Sequence, residues 1–312
     1  MEKFINQITL GDCKEFLPGL DPESVHLFLS DIPYGIGLDE WDVLHENTNS
    51  AYLGQSPAQM GKGGFKRRGK PINGWNSADR EIVRDYERWC LEWAEMVYPV
   101  MKKGASLFIF GARRTIHRAI VAMEDAGFLL RDVLIWKKPS AHHRSQRMEI
   151  VLDRRGENQL SEKWSGWRLG NLAPIYEPIA WMFKPYDITI TDNVIENEVG
   201  AMNIEACLID GKSPTNILEF GFRADEERVH EAQKPLGLME YLMRLTTREN
   251  QIILDPFMGS GTTAVAAKNL NRRFIGFEIN ETYYRVAQAR LDNETRQLRL
   301  LHESGSEYST EA

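Results

Sequence analysis

Two carboxylates, Asp31 and Asp255, each end an apolar run and open onto a turn built from Pro or Gly, and these turns are where chemistry could sit. The second reads Asp255-Pro256-Phe257-Met258-Gly259-Ser260-Gly261-Thr262-Thr263. There a strand feeds a glycine turn that opens a helix. Gly259 and Gly261 permit a tight backbone and close approach by a ligand, and Thr262 suits a helix cap. Glu278 ends the next strand roughly twenty residues on, a position from which a carboxylate accepts both hydroxyls of a ribose. The glycine turn also fits the loose dinucleotide fingerprint, so a nicotinamide or flavin enzyme and a ligand-free structural turn are competing readings. Asp-Pro-Phe ahead of the glycines weighs against both, because a nicotinamide site brings its first glycine directly after the strand. The first turn, Asp31-Ile32-Pro33-Tyr34-Gly35, is by itself equally an ordinary strand-ending turn, which Pro and Gly favour.

The elements that must position these turns read as follows. Residues 7–13 suggest a strand and turn, 14–20 a helix, and 25–30 a buried strand that ends at Asp31. Residues 46–76 are rich in Gly, Asn, Ser and Lys/Arg without periodicity, a loop long enough to be functional or mobile. Helical spacing over 78–103 puts Tyr86, Trp89, Cys90, Trp93, Met96 and Val97 on one face. Strands are predicted at 105–110, 129–136 and 179–183, with a helix at 115–126. Residues 187–227 are polar and irregular. A helix at 236–246 precedes the cleanest unit, strand 251–255, helix 262–271, strand 273–278 and helix 281–293. No internal repeat is found.

With 312 residues, 42% hydrophobic and 10% aromatic, the chain can bury the core of one large α/β domain with an insertion, or of two modest ones. No signal peptide and no membrane-length apolar run is read, and a reducing, cytoplasmic setting is expected. Cys13, Cys90 and Cys207 make no disulfide framework and lack metal-ligand spacing, so no metal is expected. The formal net charge of −7 argues mildly against nucleic acid, but binding depends on where charge sits.

Taken together, the turns resemble the motifs of the amino-group DNA methyltransferases. Residues 255–263 are similar to that family's S-adenosylmethionine motif, and Asp31-Ile32-Pro33-Tyr34 to its catalytic tetrapeptide, usually Asp-Pro-Pro-Tyr. Catalytic motif first and cofactor motif last is the order of the beta class. The resemblance extends to Gly11-Asp12-Cys13, to 230–235 with the helix behind, and to 272–291, but covers neither 46–76 nor 137–227 with any specificity. Ile32 departs from the family's proline. The family uses that residue through its carbonyl, which isoleucine retains, so altered loop stiffness with retained chemistry is expected.

The resemblance implies an α/β, Rossmann-like, doubly wound and mostly parallel sheet of the class I methyltransferase kind, with an inserted target-recognition region. It implies a catalytic domain of 1–136, 175–186 and 228–298, DNA-contact and recognition insertions at 137–174 and 187–227, and a flexible tail at 299–312. For the cofactor S-adenosylmethionine it implies Asp12 at the adenine, Cys13 among the binding residues, Glu278 on the ribose and Phe257 beside the adenine or methionine part. Lys234 would shape the methionine end, and Asp255, Gly259, Ser260, Gly261 and Thr262 complete the set.

The implied reaction is methylation of N6 of adenine within a short sequence of double-stranded DNA. An exocyclic amino nitrogen is a poor nucleophile because its lone pair is delocalised. Acceptors on its hydrogens, the Asp31 side chain and the Ile32 carbonyl, would free that pair, with Pro33 fixing the turn. Tyr34 would stack on the extruded base, worth about 1–3 kcal/mol. N4-cytosine methylation is the parallel alternative, although Ser more usually replaces Asp there. An RNA or protein-amide methyltransferase and a non-catalytic DNA-binding module are the other classes. Motif order and basic zones count against the first, intact Asp31, Tyr34 and Asp255 against the second. Carbon-5 methylation of cytosine needs a cysteine nucleophile, typically after proline, and no cysteine here has that context.

Two basic zones could hold DNA: Lys62, Lys66, Arg67, Arg68 and Lys70, and then Lys137, Lys138, His142, His143, Arg144, Arg147, Arg154 and Arg155, followed by Trp164, Trp167 and Arg168. Of these, Lys66, Arg67, Arg68, Lys137, Arg144 and Arg147 are the expected phosphate contacts. A solvated face is the bland alternative. A homodimer and a cognate restriction enzyme stay open as protein partners.

Overall fold

The computed structural model describes residues 1–34, 78–141, 146–169, 172–224, 226, 228 and 233–307. Eight strands make its central sheet. In chain order they are β1 (Gln7–Leu10), β2 (Val25–Asp31), β3 (Met101–Phe110), β4 (Leu129–Lys137), β7 (Tyr176–Phe183), β8 (Ile217–Glu219), β9 (Ile252–Asp255) and β10 (Arg273–Glu278). Between β4 and β7 in the chain, β5 (Gln146–Arg147) and β6 (Arg168–Leu169) form a separate two-stranded ribbon. The strand order across the central sheet is β1-β10-β9-β2-β3-β7-β4-β8. Only β7 runs antiparallel, between β3 and β4.

The central strands are apolar on both faces, and alternation sends each face to its own core. Phe28, Leu107, Ile109 and Leu254 join Tyr86, Cys90, Trp93 and Val97 of α2 (Ala78–Val100) and Ala119 and Met123 of α3 (Ile116–Asp125). Leu27, Leu29, Phe108 and Ile253 join α7 (Leu236–Thr246), α8 (Thr262–Asn269) and α9 (Glu281–Glu307) through Leu238, Ala264 and Ala287. Covering both faces of a parallel sheet is what near-continuous apolar strands require. It is the doubly wound arrangement that the motifs imply.

Several boundaries differ from the sequence reading. Helix α2 stops at Val100 because Met101 already pairs with Val25 in the sheet, and Pro99 lies in its last turn. The segment 14–20 is split into α1 (Cys13–Phe16) and a 3-10 turn at Leu17–Gly19. Within 187–227, α6 (Ile190–Asn197) and the edge strand β8 are regular, and β8 pairs with β4. Two short helices, α4 (Met148–Asp153) and α5 (Asn158–Lys163), fill the excursion between β4 and β7. Helix α9 runs on to Glu307, past the segment read as 281–293. No helix among the described residues is long and apolar enough to cross a membrane.

Candidate active site

Parallel strands deliver their carboxyl ends to one edge, where open α/β sheets bind ligands. Here β2 delivers Asp31, β9 Asp255 and β10 Glu278, while Asp12 follows β1. A cavity of about 290 Å³ lies along this edge. Asp31 and Pro33 line it together with Asp12, Cys13, Asp255, Phe257, Gly259, Ser260, Thr262, Lys234 and Glu278. Two turns separated by more than half the chain therefore share one cleft.

The glycine turn is held from inside. Asp255 is buried, and its Oδ1 accepts from Ser30 Oγ at 2.6 Å and from the Phe257 amide at 3.1 Å. Burial pushes its pKa from 3.8 to about 6, against the pull of these donors. Glu278 accepts from the Gly259 amide at 2.7 Å through Oε2 and from the Asn280 amide at 2.8 Å through Oε1. Each oxygen keeps a lone pair for a ligand. Burial raises the Glu278 pKa, with the backbone amides opposing it.

A Cβ at Gly259 would meet nothing nearer than the Phe257 carbonyl at 4.0 Å, so ligand atoms can approach the backbone there. Gly261 does something else. It does not line the cavity; at φ +84° an added Cβ would lie 2.9 Å from that of Ala287, so this glycine lets α8 close on α9. Asp12 caps α1 by accepting from the Lys14 amide at 2.9 Å. Cys13 is buried beside it, with desolvation pushing its thiol up to about 12 and excluding a thiolate role. Phe257 stands 5.3 Å from the Trp89 ring and 5.5 Å from that of Trp93, and both tryptophans line the cavity. The sequence reading placed those two rings only on a core face.

The Asp31–Tyr34 turn is anchored at both ends. Ile32 is fully buried against the α2 and α3 core, so the side chain that replaces proline pins the turn by packing. The Tyr34 carbonyl accepts from Thr115 Oγ1 at 2.9 Å. The Tyr34 hydroxyl donates to Asp31 Oδ1 at 2.8 Å.

Lys234 was expected at the methionine end of the cofactor. Lys234 lines the same cavity as the glycine turn, and its ammonium bonds Asp31 Oδ2, lies 3.0 Å from the Tyr34 hydroxyl and 3.5 Å from Glu177 Oε2. Glu177, at the start of β7, is absent from the sequence reading. Its Oε1 pairs with Lys138 of the second basic zone. The site thus holds a quartet of two carboxylates and two ammonium groups, with Lys234 buried at its centre and Lys138 at its partly exposed edge. Burial raises the Asp31 pKa, which Lys234 opposes and Glu177 reinforces. For Lys234 burial is outweighed by its two carboxylates, and the ammonium is held protonated.

Of the expected DNA contacts, Lys66, Arg67, Arg68 and Arg144 lie outside the described residues, as do Lys62, Lys70, His142 and His143. Lys137 is exposed and 2.7 Å from Glu219, and Arg147 is exposed and 3.8 Å from Glu149. Trp164 and Trp167 meet edge to face at 5.1 Å, with Trp167 on the surface.

A doubly wound sheet with these carboxylate turns on its carboxyl edge defines a class I methyltransferase. The family described as DNA methylase matches residues 25–289. The chain is 48% identical over 279 residues to the type II methyltransferase M.HindIII of Haemophilus influenzae, covering 87% of this chain and 90% of that one. In fold it is similar to the PvuII DNA methyltransferase (cytosine-N4-specific), with a TM-score of 0.59 and 18% identity over 90% of this chain and 84% of that one. It is likewise similar to M1.HpyAVI in its complex with SAM, with a TM-score of 0.53 and 21% identity over 91% and 98% of the two chains. The chain belongs to the DNA methylase family and is an S-adenosylmethionine-dependent DNA methyltransferase.

Proposed function

We propose that the enzyme methylates N6 of adenine in double-stranded DNA after turning the target base out of the helix. The supporting observation is that Asp31, a carboxylate heading the tetrapeptide, lines one cavity with the glycine turn at Gly259 and with Glu278. The residues present suit the cofactor: a carboxylate for the ribose, open backbone at Gly259, and an aromatic wall of Phe257, Trp89 and Trp93. Bound there, S-adenosylmethionine would supply an electrophilic methyl group on sulfur for direct displacement by the base nitrogen, with the thioether as leaving group.

The chain's own residues act by positioning. Asp31 accepts one amino hydrogen and the Ile32 carbonyl the other, so the nitrogen lone pair leaves conjugation and points at the methyl group. Pro33 fixes the turn, and the Tyr34 ring carries the base. The surplus amino proton then passes to Asp31, whose burial holds its proton affinity up, and on to solvent. Glu278 takes the ribose, Asp12, Cys13 and Phe257 the adenine and methionine parts, and Lys234 steadies Asp31. Asp255, Ser260, Gly261 and Thr262 keep the turn in shape.

For DNA, Lys66, Arg67, Arg68, Lys137, Arg144 and Arg147 are assigned to phosphates, which makes affinity salt dependent. The excursion 137–174 and the polar part of 187–227 are assigned to target recognition, around a catalytic body of 1–136, 175–186 and 228–298. Kinship with a type II methyltransferase supports a cognate restriction enzyme as partner. Nucleoside analysis of unmethylated DNA after incubation with enzyme and cofactor tests the target base. N6-methyladenine is expected; N4-methylcytosine would overturn the assignment.

A further inference from the structure

Both oxygens of Asp31 are engaged, Oδ1 by the Tyr34 hydroxyl at 2.8 Å and Oδ2 by Lys234. An acceptor so occupied cannot give its full strength to an incoming amino group. Glu177 is placed to relieve it. Its Oε2 lies 3.4 Å from the same Tyr34 hydroxyl and 3.5 Å from the same ammonium, while Lys138 balances its charge from the other side.

We propose that Glu177 is a positioning residue for methyl transfer, taking over the Tyr34 hydroxyl and sharing Lys234 so that Asp31 Oδ1 is released to the amino hydrogen of the target base. This rests on the methylation reading above. The geometry is specific. Glu177 sits on β7, two strands from β2, and reaches the site because Phe110, at the end of β3, pairs with Ile179 on one side and with Asp31 on the other. Among the described residues, the groups facing Asp31 are Lys234 ahead of α7, Tyr34 on its own turn, Glu177 on β7 and Asp255 on β9, with Lys138 behind Glu177. Two of these are anions. Removing the Glu177 charge would leave Lys234 gripping Asp31 more tightly, and that carboxyl would then ionise at lower pH and accept more weakly.

Glu177→Gln keeps the shape and removes the charge. With enzyme in excess over unmethylated bacterial genomic DNA and tritiated S-adenosylmethionine, the plateau transfer rate should fall by about tenfold or more. The acid limb of the rate profile should move to lower pH, because Asp31 must be ionised to accept. The S-adenosylmethionine Kd from calorimetry should stay near the wild-type value. In the free protein, the 13C carboxyl resonance that disappears in Asp31→Asn should titrate at lower pH in Glu177→Gln. Glu177→Asp, which keeps the charge and shortens the reach, should slow transfer without moving the acid limb.

An unchanged rate and acid limb in Glu177→Gln overturns the proposal, as does a rate loss matched by equal loss of cofactor affinity. Should Glu177→Gln fail to fold, a wild-type rate in Glu177→Asp overturns it equally. Wild-type enzyme that labels no DNA sinks the methylation reading instead, and the carboxyl titration still judges Glu177.

Discussion

The Ser30 hydroxyl donates to Oδ1 of Asp255 across 2.6 Å, joining the strand that ends in the Asp31–Tyr34 turn to the strand that ends in the glycine turn. The donor lies directly before Asp31 in sequence, and its acceptor directly before the Pro-Phe of the glycine turn. The bond is buried at both ends, where a hydrogen bond to a carboxylate contributes about 1.5–3 kcal/mol. It fixes the relative height of the two turns on neighbouring strands.

Asp255 gives a pH dependence of stability. Its folded-state pKa of about 6 exceeds the ordinary 3.8, so the folded chain holds that proton more tightly than the unfolded chain does. Its stabilising contribution is full below about pH 4 and is lost as pH rises towards 6. The loss is on the order of 3 kcal/mol. Asp255→Asn, which cannot ionise, should therefore gain stability relative to wild type between pH 4.5 and 7, read by urea unfolding at each pH. A difference independent of pH would show that Asp255 does not titrate in this range.

Asp31→Asn should lower the transfer rate by about a hundred- to a thousandfold, because the amino group loses its charged acceptor. Cofactor affinity should be nearly unchanged, since the cofactor grips other residues. Calorimetry beside a single-turnover assay separates the two. Equal loss of both would mean that Asp31 shapes the cofactor pocket.

Glu278→Gln should show the converse. Loss of a charge-assisted bond to the ribose corresponds to about ten- to a hundredfold weaker cofactor binding. Transfer at saturating cofactor and DNA binding in a gel shift should change little. Wild-type affinity for S-adenosylmethionine would remove Glu278 from the ribose.

Gly261→Ala should destabilise the fold by about 1–3 kcal/mol, since the new methyl meets Ala287 and the backbone is left-handed. Scanning calorimetry should report a drop of several degrees. An unchanged Tm would mean that α9 yields at no cost.

Removal of Lys137 or Arg147 by alanine should weaken DNA binding across sequences and lower the salt slope by about 1 for each phosphate no longer neutralised. A binding curve at several salt concentrations reads this directly. An unaltered slope would leave those side chains to their partners Glu219 and Glu149.

Much of the fold was legible because it is locally encoded. The apolar period of α7 and the strand β10 have the bounds that their sequences predict, Leu236–Thr246 and Arg273–Glu278. What escaped had no local signature. β7 starts at Tyr176, ahead of the expected 179, and includes Pro178, a residue that cannot donate to the ladder and so reads against a strand, paired with Ile135. Helix α6 is polar along most of its length and its buried residue is Asn193, while Ile190 and Ile195 are exposed, so its apolar positions do not mark the face it buries.

The sequence by itself determined the two turns, their carboxylates and the chemistry they suit, since a strand end, a glycine and a charged group are properties of a few adjacent residues. Only the tertiary structure decided how those charges are balanced. Glu177 and Tyr34 are 143 residues apart and Lys234 and Tyr34 are 200 apart, and no spacing announces such meetings. Burial at the sheet edge forces each charge to find a partner, and strand order chooses which one.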